Sequence, residues 1–86
     1  MVSSFFKEEK WKMDSSFEKE VGARIRAFRE LRGLTQENLS AQLQVNDCDI
    51  TRSALAKIEV GQRHIYLDEL KLICKLLNIT YSDLLD

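Results

Sequence analysis

Arg52, Ser53 and Lys57 are the residues of this chain whose types and spacing best suit binding chemistry. On a helix turning ~100° per residue, Arg52, Ser53, Ala56, Lys57 and Val60 fall within an arc of about 140°. Ala54, Leu55 and Ile58 fall on the opposite side. An arginine fork matches the paired acceptors of a guanine edge, a serine hydroxyl gives or takes one hydrogen bond, and lysine reaches guanine or phosphate. The small Ala56 lets such a face approach a groove wall or touch a thymine methyl. A plain amphipathic helix with a solvated polar face has a similar composition. The elements around this stretch must therefore separate the two readings.

Reactive chemistry has little support. Cys48 and Cys74 lie 26 residues apart and form no CxxC pair. Cys74 falls in an apolar stretch, as a small buried hydrophobe does, and Cys48 falls in an expected loop, where an exposed thiol would allow redox sensing but an inert one is the stronger expectation. His64 is the single histidine and has no ligand cluster around it, so neither a zinc site nor a cofactor is expected. There is no nucleophile with a base partner, no carboxylate pair with a cleft and no phosphate-cradling glycine loop. The chain does not read as an enzyme.

Its 86 residues suffice for one domain. No apolar run approaches the ~18–20 residues of a membrane span. Phe5 and Phe6 are followed at once by Lys7, Glu8, Glu9 and Lys10, where a signal peptide would continue apolar. A cytoplasmic location is expected. The formal net charge is −1, which argues against indiscriminate nucleic-acid binding. Residues 21–80 nevertheless carry nine Lys or Arg against seven Asp or Glu, so the acidic excess lies in the tails.

The chain has no proline and only three glycines, and apolar residues recur at helical spacing, so an all-α fold is expected. Phe17, Val21, Ile25 and Phe28 form the stripe of a first helix over 17–32, with Gly33 as its left-handed stop. Thr35 caps a second helix over 36–44 whose inner face is Leu39 and Leu43. Its capping box is expected to be weak, because Asn38 stands where Glu or Gln is usual. Asn46, Asp47 and Asp49 mark a turn. Thr51 caps a third helix ending at Val60, with Gly61 beyond it. A fourth helix covers 67–77 with Asn78 as its left-handed end, and Thr80 with Asp83 opens a short last helix through Leu85. The helices flanking the turn make a helix-turn-helix candidate.

The stretches VGARIRAFRELRGLTQENLSAQL, TRSALAKIEVGQR and LDELKLICKLLNITYSDLL resemble the lambda-repressor-like helix-turn-helix family, also called the XRE or Cro type. The resemblance runs from Val21 to about Leu84. It implies a compact five-helix DNA-binding domain over 17–86, with an extra N-terminal segment over 1–16. It further implies sequence-specific double-stranded DNA binding by a transcriptional regulator, most often a repressor. Thr35 and Thr51 would sit beside phosphate, Gln36 would contact the backbone and a base, and Arg52, Ser53 and Lys57 would face base edges. Arg63 would touch phosphate, and an Arg29–Glu59 ion pair would fix the third helix against the first. The sequence departs from the family in its turn, which is longer than usual and lacks the usual glycine, Gln44 standing in that place. Ile65 replaces a common proline and Ser40 a common alanine.

One such domain binds weakly, so a homodimer on a palindromic operator is expected. Leu72, Leu76, Tyr81, Leu84 and Leu85 are candidates for an apolar dimer patch, with the N-terminal tail an alternative, and at least half of the five are expected to be core instead. No small-molecule effector domain is expected. The alternative is an antitoxin-like or protein-interaction module with the same fold. Phe5, Phe6, Trp11 and Met13 make the N-terminal segment unusually apolar. The expectation is a partly ordered or disordered extension, or residues upstream of a natural start at Met13. The alternative is a short helix over 4–12 that docks on the domain or on a second copy.

Overall fold

The computed structural model describes residues 15–86, and every regular element among them is an α-helix. In chain order these are α1 (Ser15–Leu31), α2 (Gln36–Val45), α3 (Arg52–Glu59), α4 (Leu67–Leu77) and α5 (Tyr81–Leu85). α1 starts two residues ahead of Phe17. The alternative helix over 4–12 lies outside the described residues.

The starts of α2, α3 and α5 follow from side-chain capping. Thr35 Oγ1 accepts from the Asn38 N–H at 3.0 Å, and the Thr35 N–H donates to Asn38 Oδ1 at 3.1 Å. The capping box expected to be weak is therefore complete, because the Asn38 amide oxygen accepts as a glutamate oxygen would. Thr51 Oγ1 accepts from Ala54 N at 3.1 Å at the start of α3. Thr80 and Asp83 form the reciprocal pair at α5.

The helix ends share a single device. Leu34, Cys48, Gln62 and Ile79 each donate a backbone N–H to the carbonyl five residues earlier. The residue before each has positive φ: Gly33 at 74°, Asp47 at 64°, Gly61 at 78° and Asn78 at 56°. This is the six-to-one bond and left-handed residue that close a helix. Asp47, read only as a turn former, is the left-handed stop of α2. Aspartate tolerates that conformation better than most residues, so the glycine common in the family is not needed. Six residues, 46–51, then join α2 to α3, and Ile50 is buried among them as an anchor.

α1 packs on α3 and α5, and α2 packs on α3 and α4. The core between them includes Val21, Ile25, Leu39, Leu43, Leu55, Ile58, Ile73 and Leu77. Two expectations need correction. Phe17 continues the α1 stripe but is 43% exposed, on the wall of an open groove that it shares with Leu67 and Leu85. Leu84 is fully buried, so it belongs to the core and not to a dimer patch. Leu72 and Leu76 pack against the core, which leaves Tyr81 and Leu85 of that group exposed.

Candidate nucleic-acid interface

The surface around α3 is set by three buried supports. The first is an ion-pair network. Arg29 of α1 donates from Nε to Glu59 Oε2 at 2.7 Å and from Nη2 to Glu59 Oε1 at 3.0 Å. Its Nη1 donates to the Leu34 carbonyl at 2.8 Å, and Gln36 Nε2 donates to Glu59 Oε1 at 3.0 Å. The network therefore joins the end of α1, the first turn, the first residue of α2 and the last residue of α3. Both charged side chains are nearly inaccessible, at 7% and 1% exposure. The Glu59 hydrogen bond, opposed by burial and aided by the Glu59 charge, raises the already high Arg29 pKa. A two-pronged pair of this kind fixes orientation as well as distance.

The second support is Gly22. A Cβ built there would lie 2.2 Å from the Ile58 carbonyl oxygen and 2.8 Å from that of Glu59. α1 thus passes against the backbone at the end of α3, and only a residue without Cβ allows it. The sequence reading assigned Gly22 no role. The signal was available, since an interior helix glycine destabilises by ~1 kcal/mol relative to alanine and calls for a packing reason.

The third support is hydrophobic. Leu55 and Ile58 are buried beneath α3. The opposite side presents Arg52, Ser53 and Lys57 to solvent, with Ala56 half-buried between them.

Arg52 differs from every other arginine in the chain. Arg24 donates to the Leu84 carbonyl and Glu20, Arg26 to Glu30, and Arg29 to Glu59. Arg32 donates to the Leu77 and Asn78 carbonyls at the end of α4, and Arg63 donates to Glu69. Among the described residues Arg52 has no hydrogen-bond or ion-pair partner, and the same holds for Lys57. These cations stay outside the pairing among the described residues.

The structure brings most of the expected contact residues together. Thr35, Gln36 and Arg52 line one open groove, with Arg26, Glu30 and Glu37 at its sides. A second concavity is lined by Gln36, Arg52, Ser53 and Ala56. Lys57 is one helical turn beyond Ser53 on the same face. Thr51 remains exposed with its hydroxyl engaged in capping α3. Gln36 has two relations at once, to the surface groove and to buried Glu59.

Arg63 is placed elsewhere. It lines an apolar groove with Phe17, Ile65 and Leu67, away from the Arg52 concavities. Its Nη1 and Nη2 donate to the two Glu69 oxygens at 3.0 and 3.1 Å, and Nη1 also reaches the His64 carbonyl at 2.8 Å. The guanidinium lies 6.0 Å from the Tyr66 ring centre. The Arg63 hydrogen bond, helped by the Tyr66 N–H and opposed by burial, holds the Glu69 carboxyl below the usual range. This cluster starts α4. Sequence reasoning places Glu69 in the first turn of the fourth helix but misses its pairing with Arg63, which lies in a different element. Cys48 is half-buried rather than exposed. Burial first, and then Glu69 and Asp68, push its thiol up, so it is a poor nucleophile.

No helix among the described residues is long and apolar enough to cross a membrane. Nor do the described residues include a His, Cys, Asp and Glu cluster that could hold a metal.

A six-residue turn joins two packed helices here, the second presents cations with no partner among the described residues, and a third helix is locked behind by an arginine fork. The helix-turn-helix family model matches residues 25–84, and the chain belongs to that family, in its lambda-repressor-like or XRE branch. Among curated relatives it is similar to the control protein C.BamHI of Bacillus amyloliquefaciens. The two are 34% identical over 65 residues, covering 76% of this chain and 75% of the relative. The fold also matches the crystal structure of the DNA-binding domain of BldD, with a TM-score of 0.72 and 22% identity. That match covers 86% of this chain and all of the other.

Proposed function

We propose that this protein is a transcriptional regulator that binds specific double-stranded DNA with α3 in the major groove. The observation that carries the reading is Arg52: it opens the exposed face of α3, and it is the arginine without an internal partner among the described residues. Family membership and the likeness to a control protein support it.

In this reading Arg52, Ser53 and Lys57 read base edges, and Ala56 permits close approach. Thr35, Gln36 and Thr51 position the domain on the backbone, where contacts set register rather than sequence. Gln36 couples the two roles, since Glu59 orients its amide. Arg63 reaches phosphate only by sharing its guanidinium with Glu69, so its contribution is the smallest of the set. The Arg29–Glu59 pair touches no DNA and acts by holding α3.

Two copies act together as a repressor, on half-sites about one helical turn apart in a palindromic operator. Selection from a random duplex pool at fixed salt tests the reading. The expected result is a two-fold-symmetric consensus with half-sites ~10 base pairs apart. Recovery of no consensus at any salt would overturn it.

A further inference from the structure

A groove of about 340 Å³ shares no lining residue with the Arg52 concavities. It is walled by Phe17 and Val21 of α1, Leu67 and Leu70 of α4, Ile65 and Leu85. Phe17, Leu67 and Leu85 are 43%, 83% and 38% exposed. Scattered exposed apolar residues need no explanation, but a contiguous patch that forms a concavity does.

We propose that this groove seats the chain's own N-terminal segment, with Trp11 and Met13 as the side chains that fill it. The chemistry of the walls favours an apolar occupant. The charges at the rim, Glu18 and Arg63, are already paired with His64 and Glu69. What the groove still offers is hydrocarbon surface. The segment preceding Ser15 has matching chemistry, since residues 1–14 contain Phe5, Phe6, Trp11 and Met13. It also joins the fold in the right place. The described chain begins at Ser15, two residues before Phe17 on the groove wall. Trp11 is six residues from Phe17, within about 20 Å of extended chain. A tethered segment meets the groove at an effective concentration in the ~mM range for a short linker, which a free partner rarely reaches. This docking is independent of DNA binding by α3.

Trp11 is the single tryptophan of the chain, so its fluorescence reports on the segment directly. In the full-length protein its emission should be blue-shifted, and acrylamide should quench it severalfold less than in urea. Leu67→Asp places a charge in the groove at the first residue of α4, where an acidic group suits the helix. Phe17→Ser removes the opposite wall. Each should move emission to the red and restore quenching while far-ultraviolet circular dichroism stays helical. Water-like emission in the unmodified protein would overturn the proposal, as would emission that neither substitution moves in a folded protein. Shielding that rises with protein concentration, together with dimer mass in sedimentation, would assign the groove to a second copy and overturn docking within the chain.

Discussion

Arg29 near the end of α1 and Arg52 at the start of α3 carry the same side chain in opposite surroundings. Arg29 is buried, and its three donor nitrogens are engaged by Glu59 and the Leu34 carbonyl. Arg52 is exposed and has no partner among the described residues. Removing one member of a buried pair leaves the other as an uncompensated charge. Removing an exposed side chain with no partner among the described residues disturbs little in the folded protein. The first arginine acts on DNA only through the position of α3, and the second acts by contact.

The comparison predicts a graded series of effects. Arg29→Ala should lower folding stability most, by about 3–5 kcal/mol, a large share of the ~5–15 kcal/mol available to a small domain. Urea unfolding measures it, and a loss below ~1 kcal/mol would mean the pair is not the brace described here. Gly22→Ala forces a methyl against the Ile58 carbonyl and should destabilise by about 1–3 kcal/mol. The thermal midpoint should fall by ~4–8 °C for each kcal/mol lost, with DNA affinity falling too as α3 is pushed away. Arg52→Ala, in contrast, should leave stability within ~0.5 kcal/mol of the parent.

Glu69 sharpens the comparison at its weak end. Its pKa is depressed in the folded state, first by Arg63. The stabilisation from this pair is therefore present above the unfolded carboxyl value of ~4.3. It is lost as pH falls through the lower folded value. Unfolding followed from pH 6 to pH 2, a range set about the ~4.3 reference, should show a steeper acid loss in the parent than in Glu69→Gln. Parallel curves would show that the Arg63 pair adds nothing.

Much of this architecture is legible in the sequence because it is written in short-range signals. Thr35, Thr51 and Thr80 cap helices through residues three positions away, and Gly33, Gly61 and Asn78 end them through local backbone bonds. The exposed face of α3 follows from helical periodicity alone. Features that depend on tertiary approach were harder to see. The need for Gly22 comes from a carbonyl on α3, 36 residues away. The Arg63–Glu69 pair crosses from a loop into α4, so no helical spacing announces it. Phe17 keeps the period of the α1 stripe although it lies on the wall of an open groove, which periodicity does not reveal. Asp47 was obscured for a different reason: aspartate enters the left-handed region less often than glycine or asparagine and carries other turn roles as well.

The central claim is that the outer face of α3 distinguishes base sequences. Its most direct test compares Arg52→Ala with the parent on the selected operator and on unrelated DNA of the same length and salt. The account predicts a loss of about 1–3 kcal/mol on the operator and little change on unrelated DNA, with an unchanged melting temperature. Equal loss on both would make Arg52 a backbone contact and contradict the claim.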